Sequence, residues 1–186
     1  MSAESHRAAA PDRAVACAVV TVSDTRTEET DESGEHVKRA LRGAGHTVDF
    51  YRIVPDDGEA IRAVLLHLAG QVEVVVTTGG TGIGRRDTTV EVAERLIQKA
   101  LPGFGELFRM KSYDQVGAAA MLSRATAGLY GAEDQPAGTL LFCCPGSRAA
   151  VELAVGELIL PDLRHLAHEV VRKPARPPGR VEFPVE

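Results

Sequence analysis

A turn made mostly of backbone, Thr77-Thr78-Gly79-Gly80-Thr81-Gly82, follows the β-branched run Val72 to Val76. Gly79, Gly80 and Gly82 carry no side chain that could hold an anion away, so main-chain N–H groups can close on a phosphate. The Thr77, Thr78 and Thr81 hydroxyls are further donors. A glycine turn alone is weak evidence, because ordinary strand-to-helix connections also use glycine. Its neighbours give it chemistry. Asp56, in Val-Pro-Asp, and Asp87, in Arg-Arg-Asp, fall in loops after neighbouring strands and flank the turn, where both can reach one hard cation. Mg²⁺ usually takes one or two carboxylates together with phosphate oxygens and water. Either aspartate alone would serve equally as a turn former or a helix cap; it is their joint placement beside an anion turn that points to metal. Arg85 and Arg86 are suited to phosphate. Ser147, after Pro145-Gly146, offers a second anion site or a plain helix cap. This set of groups suits phosphoryl or nucleotidyl transfer, in which catalysis is mostly positioning and charge neutralisation.

Other chemistries fit less well. No Lys follows the last glycine, so the turn is not a P-loop. The first strand ends in Ser23-Asp24 without glycines, which argues against a dinucleotide fingerprint and a nicotinamide dehydrogenase. Cys17, Cys143 and Cys144 lie in apolar runs without zinc spacing. Adjacent strand residues such as Cys143 and Cys144 point to opposite faces and read as buried thiols. His165 and His168 share a helix face at i, i+3, but lack a third ligand nearby and read as surface histidines.

These groups must be carried by a frame, and the frame alternates strands with amphipathic helices. Strands are expected at Val15 to Val22, Thr47 to Val54, Val72 to Val76 and Thr139 to Cys144. Between them, Val37, Ala40, Leu41 and Ala44 form one helical face, which Gly45 ends. Ile61, Val64, Leu65 and Leu68 form a second, and Val92, Leu96 and Ile97 a third. The section from Pro102 to Ala127 reads as two further helices, and Ala149 to about Val171 as one long helix that Pro161 kinks or divides. The pattern is α/β: a mainly parallel, doubly wound sheet between helices. In such sheets ligands bind beyond the carboxyl ends of the strands, the edge where all these loops fall.

With 186 residues, 44% of them hydrophobic, the chain can bury one substantial core. Residues 14–173 are expected to form one domain, with 1–13 a disordered or extended tail and the Pro-rich 174–186 an extended arm or a disordered end. A net charge of -5 and a pI of about 5.7 disfavour nucleic acid and anionic membranes as partners. With no apolar run of membrane length and no leader-like start, the expected location is the cytoplasm.

In order and spacing, several segments resemble the MoaB/Mog family. They are Thr-Val-Ser-Asp (21 to 24), Asp-Glu-Ser-Gly (31 to 34), Thr-Thr-Gly-Gly-Thr-Gly (77 to 82) and Arg-Asp (86 to 87), followed by Pro-Gly-Phe-Gly-Glu (102 to 106), Leu-Ser-Arg-Ala (122 to 125) and Cys-Pro-Gly-Ser (144 to 147). The resemblance runs from about Ala14 to Val171; both ends and the insert Ala132 to Ala137 have no counterpart. It implies a three-layer α/β/α molybdopterin-binding domain, commonly a homotrimer or homohexamer. The catalytic branch of the family uses Mg²⁺ and ATP to adenylylate molybdopterin, releasing pyrophosphate. By the same resemblance Asp56 and Asp87 are the catalytic and Mg²⁺-holding acids. Ser23, Asp24, Ser33, Gly34, Thr78, Gly79, Gly80, Thr81, Gly82, Arg86, Glu106, Ser123, Arg124, Pro145, Gly146 and Ser147 are the nucleotide- and pterin-binding positions. The alternative is a protein of the same fold that holds molybdopterin without transferring anything to it. Retention of both acids favours transfer.

Overall fold

In the computed structural model, which describes residues 12–131 and 138–171, the apolar runs become strands of one sheet. β1 (Ala16–Val22), β2 (Thr47–Val54), β3 (Val74–Thr78) and β6 (Thr139–Cys144) run parallel. β4 (Ile97–Ala100) and β5 (Thr126–Tyr130) complete the six-stranded sheet in antiparallel pairing, in the order β2-β1-β3-β6-β5-β4. The helices are α1 (Glu32–Gly43), α2 (Gly58–Leu68), α3 (Thr89–Leu96), α4 (Pro102–Val116), α5 (Arg148–Leu153) and α6 (Leu163–Val171). No helix of the described residues is long and apolar enough to cross a membrane.

Two cores follow from the alternation of side chains along each central strand. Cys17, Val19, Val74, Val76, Leu140, Phe142 and Cys144 face one side, with Val37 and Leu41 of α1, Phe104 and Phe108 of α4, and Leu163 of α6. Ala18, Val20, Val75, Leu141 and Cys143 face the other, with Ile61, Leu65 and Leu68 of α2 and Val92, Ala93 and Leu96 of α3. This is the three-layer α/β/α arrangement, and it places Cys143 and Cys144 as buried thiols in opposite cores. Burial pushes the Cys143 thiol up to about 12.

The structure corrects the expected elements in three places. Only α4 of the two helices expected between Pro102 and Ala127 is an α-helix; a 3-10 turn (Gly117–Leu122) follows it, and then β5. β4 begins at Ile97, which the periodicity had assigned to the helix carrying Leu96. β3 starts and ends two residues later than Val72 to Val76, because Thr77 and Thr78 pair with Val20 and Thr21 on one side and with Cys143 and Cys144 on the other. As expected, the last long helix is divided at Pro161, which lies in a 3-10 turn (Leu160–Asp162) that follows a π-turn (Ala154–Ile159). Residues 132–137, the greater part of the expected N-terminal tail (1–11) and residues 172–186, which include the whole expected C-terminal arm, lie outside the described residues. Arg13 pairs with Glu73, and its carbonyl accepts from Arg164 Nε at 3.2 Å.

The strand order sets the site. β1 lies between β2 and β3, so Asp56 and Asp87 leave strands that are not neighbours in the sheet, contrary to the sequence reading. The loop after β1, which carries Asp24, therefore stands between them.

Candidate functional site at the carboxyl edge of the sheet

The glycine turn sits directly above β3. Gly79 has φ 96° and Gly80 φ 67°, conformations that L side chains rarely adopt. A side chain on Gly79 would run into the Val22 carbonyl, and one on Gly80 into the Thr89 hydroxyl. The Gly79 amide is used by the fold, donating to Cys144 O at 3.0 Å, and Gly80 O accepts from the Thr89 amide at 3.1 Å. Among the described residues the amides of Gly80, Thr81 and Gly82 remain for a ligand. Thr77, Thr78 and Thr81, read from sequence as extra donors, are all buried. The Thr78 hydroxyl donates to Thr21 Oγ1 at 3.3 Å, so its role is beneath the turn.

Acidic side chains collect beside the turn. Asp57, not Asp56, caps α2, accepting from the Ala60 amide at 2.9 Å; this leaves the half-buried Asp56 carboxylate without a capping duty. Asp56 Oδ1 is buried and accepts no hydrogen bond from the described residues. Burial raises the Asp56 pKa above its ordinary value, and the charges of Asp87 and Asp24 raise it further, against a Thr88 backbone hydrogen bond and Arg86. The Asp56 amide donates to Asp24 Oδ1 at 3.1 Å. Asp87 is held by the Gly84 amide, which donates to Oδ2 at 2.7 Å.

Arg86 and Arg124 are committed within the fold. Arg86 pairs with Asp24 at 2.6 Å. Arg124 donates to Gly82 O at 2.8 Å and Asp87 O at 2.9 Å and pairs with Glu91, bracing the loop that presents Asp87. Ser23 organises the loop after β1 by accepting from the Thr25 and Arg26 amides, each at 3.2 Å. Ser33 donates to Gly146 O at 2.9 Å, and Gly34 packs against Asp31 and Thr21, where a Cβ would lie 2.7 Å from Thr21 Oγ1.

The walls converge on a cleft of about 460 Å³. Gly79, Gly80, Thr81, Gly82 and Asp87 line one side, and Pro145, Gly146 and Ser147 another. Phe108, Ser112, Gln115 and Val116 of α4 close it, with Leu122 and Ser123. Ser147 also caps α5, accepting from the Ala150 amide at 3.4 Å. Glu106 does not join this cleft: it is exposed on α4. Sequence reasoning missed the α4 wall, a segment it read only as part of two further helices, and it missed Asp31. The latter carried a signal, an acid immediately before a helix, of the kind that marks an N-cap.

A mainly parallel sheet with a glycine turn, acidic side chains and an apolar-walled cleft at its carboxyl edge defines a class of ligand-binding domain, and similarity to known proteins specifies it. A family profile described as a probable molybdopterin binding domain matches residues 18–165. Molybdenum cofactor biosynthesis protein B of Bacillus anthracis is 48% identical over 176 residues, 93% of this chain and 100% of that protein. A crystal structure of a molybdenum cofactor biosynthesis protein B is 46% identical with a TM-score of 0.80, covering 88% of this chain and 99% of its own. The tungsten cofactor synthesizing protein MoaB from Pyrococcus furiosus is 38% identical with a TM-score of 0.74, covering 87% and 99%. The chain belongs to the MoaB/Mog family.

Proposed function

We propose that this protein adenylylates molybdopterin in molybdenum cofactor biosynthesis. A terminal phosphate oxygen of the pterin attacks the α-phosphorus of ATP, and the bond to pyrophosphate breaks. The observation that carries this reading is the meeting of Asp56 and Asp87 at the glycine turn, with Asp56 Oδ1 buried and without a hydrogen-bond partner among the described residues. A protein that only held the pterin would gain nothing from such a cluster. The names of its relatives support the pathway.

Mg²⁺ fits these residues. It is a hard cation that one or two carboxylates can hold with phosphate oxygens, and a positive ion would relieve the repulsion that Asp87 and Asp24 exert on Asp56. Asp56 and Asp87 are the holders; bound there, the ion would offset charge on the phosphate chain. The chain's own groups do the rest. The Gly80 to Gly82 amides and the capped start of α5 at Ser147 bind phosphate. Arg124 fixes the Asp87 loop. Phe108, Val116 and Leu122 offer an apolar wall for a flat heterocycle and limit water. The working protein is a cytoplasmic homotrimer or homohexamer.

Incubation with molybdopterin, ATP and Mg²⁺, with pyrophosphate and adenylyl-pterin measured together, tests the reaction. Stoichiometric appearance of both is expected. Tight pterin binding with no pyrophosphate would leave a binding protein of the same pathway.

A further inference from the structure

Asp31 is 2% exposed, and its carboxylate accepts three hydrogen bonds, none of them from a cation. The Gly34 amide donates to Oδ1 at 2.9 Å, Thr21 Oγ1 donates to Oδ2 at 2.5 Å, and the Tyr51 hydroxyl donates to Oδ2 at 2.8 Å. Capping α1 does not require such burial, since Asp57 caps α2 from an exposed position. Burying a carboxylate is costly even when it is fully hydrogen-bonded, so its place here calls for a reason beyond the cap.

The reason lies in what the carboxylate connects. A carboxylate only accepts, so Thr21 must donate to it and can in turn accept from Thr78 Oγ1, 3.3 Å away. Thr78 is the last residue before the glycine turn. In the other direction, the helical turn that Asp31 caps carries Ser33, whose hydroxyl donates to Gly146 O at 2.9 Å. The two loops so reached touch each other: a Cβ on Gly146 would come within 3.2 Å of Gly79 Cα. Tyr51 closes the outer end, with Lys38 Nζ 3.9 Å above its ring.

We propose that Asp31 is a positioning residue that sets the spacing between the glycine turn 79–82 and the Pro145 to Ser147 turn, so that both grip the same phosphate chain. It acts through Thr21 and Thr78 on one wall and through Ser33 on the other. This rests on the adenylyl-transfer reading only for the identity of the ligand.

The test uses the full chain, with MgATP titrated calorimetrically, a thermal midpoint for each variant, and steady-state transfer kinetics. Asp31→Asn and Thr21→Val are expected to weaken MgATP binding on the order of tenfold, which is ~1.4 kcal/mol. Thr21→Ser, which keeps the hydroxyl, should restore it. Tyr51→Phe removes a bond to the same Oδ2 but has no link to either loop, so it should lower the midpoint and leave affinity unchanged. Should Asp31→Asn fail to fold, Ser33→Ala cuts the second link alone and should also weaken binding. Folded Thr21→Val and Ser33→Ala proteins with wild-type affinity would overturn the proposal, as would an equal affinity loss in Tyr51→Phe. If the wild type binds MgATP but forms no adenylyl-pterin, the transferase reading fails while the affinity comparison still decides the role of Asp31. A wild type that binds neither MgATP nor molybdopterin overturns it.

Discussion

A Cβ built on Gly80 would lie 3.3 Å from Asp56 Oδ1, so this carboxylate stands directly against the glycine turn although it leaves a strand two places away in the sheet. The turn and the acid are in contact, so substitutions on either are expected to disturb the same ligand.

Gly80→Val should abolish nucleotide binding. The side chain would enter a left-handed backbone region, press on Thr89 and crowd Asp56. The backbone strain alone costs on the order of 1–2 kcal/mol, so the sheet should remain assembled with a lower thermal midpoint. Calorimetric titration with MgATP, beside a melting curve, checks both halves; unchanged affinity in the folded variant would remove the turn from the site.

Asp56→Asn and Asp87→Asn keep shape and lose charge. Transfer should fall by on the order of 100-fold or more in each, as for loss of a preorganised electrostatic group. Pterin binding should survive. Single-turnover formation of adenylyl-molybdopterin across a Mg²⁺ titration is the measurement, and wild-type rates with wild-type metal dependence in both would leave only turn-forming roles.

Arg124→Lys should loosen the Asp87 loop without removing positive charge, because one ammonium cannot reach Gly82 O, Asp87 O and Glu91 as the planar guanidinium does. Faster hydrogen exchange is expected at amides 82–88, with a drop in transfer rate larger than the drop in stability. If exchange is unchanged, Arg124 does not act by bracing the loop.

Stability should fall in acid in two stages. His46 Nδ1 accepts from the Val15 amide at 3.2 Å, so the folded imidazole is neutral there. Burial lowers its pKa below 6.5, Arg164 lowers it further, and Glu73 opposes both. As pH drops below about 6.5 the unfolded chain takes up this proton first, which favours unfolding. The Arg13 hydrogen bond holds Glu73 below its ordinary 4.5, so its contribution is present above that value and is lost as pH falls further. Thermal midpoints across pH should show both stages, and His46→Asn, which can keep an acceptor, should flatten the first.

The apolar side chains Leu107, Met110 and Met121 are exposed along α4 and the 3-10 turn after it. A homotrimer or homohexamer that covers them is expected from light scattering at micromolar concentration, and a monomer mass would count against it.

Sequence alone determined what depends on local chemistry and period. The runs at β1, β2 and β6 were legible because β-branched and apolar residues crowd them, and the α1 and α2 faces because their spacing repeats every three to four residues. The glycine turn and the two acids were legible because few residue types serve an anion and a hard cation. β4 and β5 were not. Ile97 continues a helical face, and Thr126-Ala-Gly-Leu-Tyr has little strand preference of its own, so only antiparallel pairing with β6 and β4 made it a strand. Only tertiary structure could insert β1 between β2 and β3, because strand order is set by crossovers packing helices on opposite faces. That order brought Asp24 beside Asp56, committed Arg86 to Asp24 and sank Thr78 beneath the turn. It also made Asp31 the hub of two loops, a role that depends on Thr21, Tyr51 and Gly146 being brought together from distant parts of the chain.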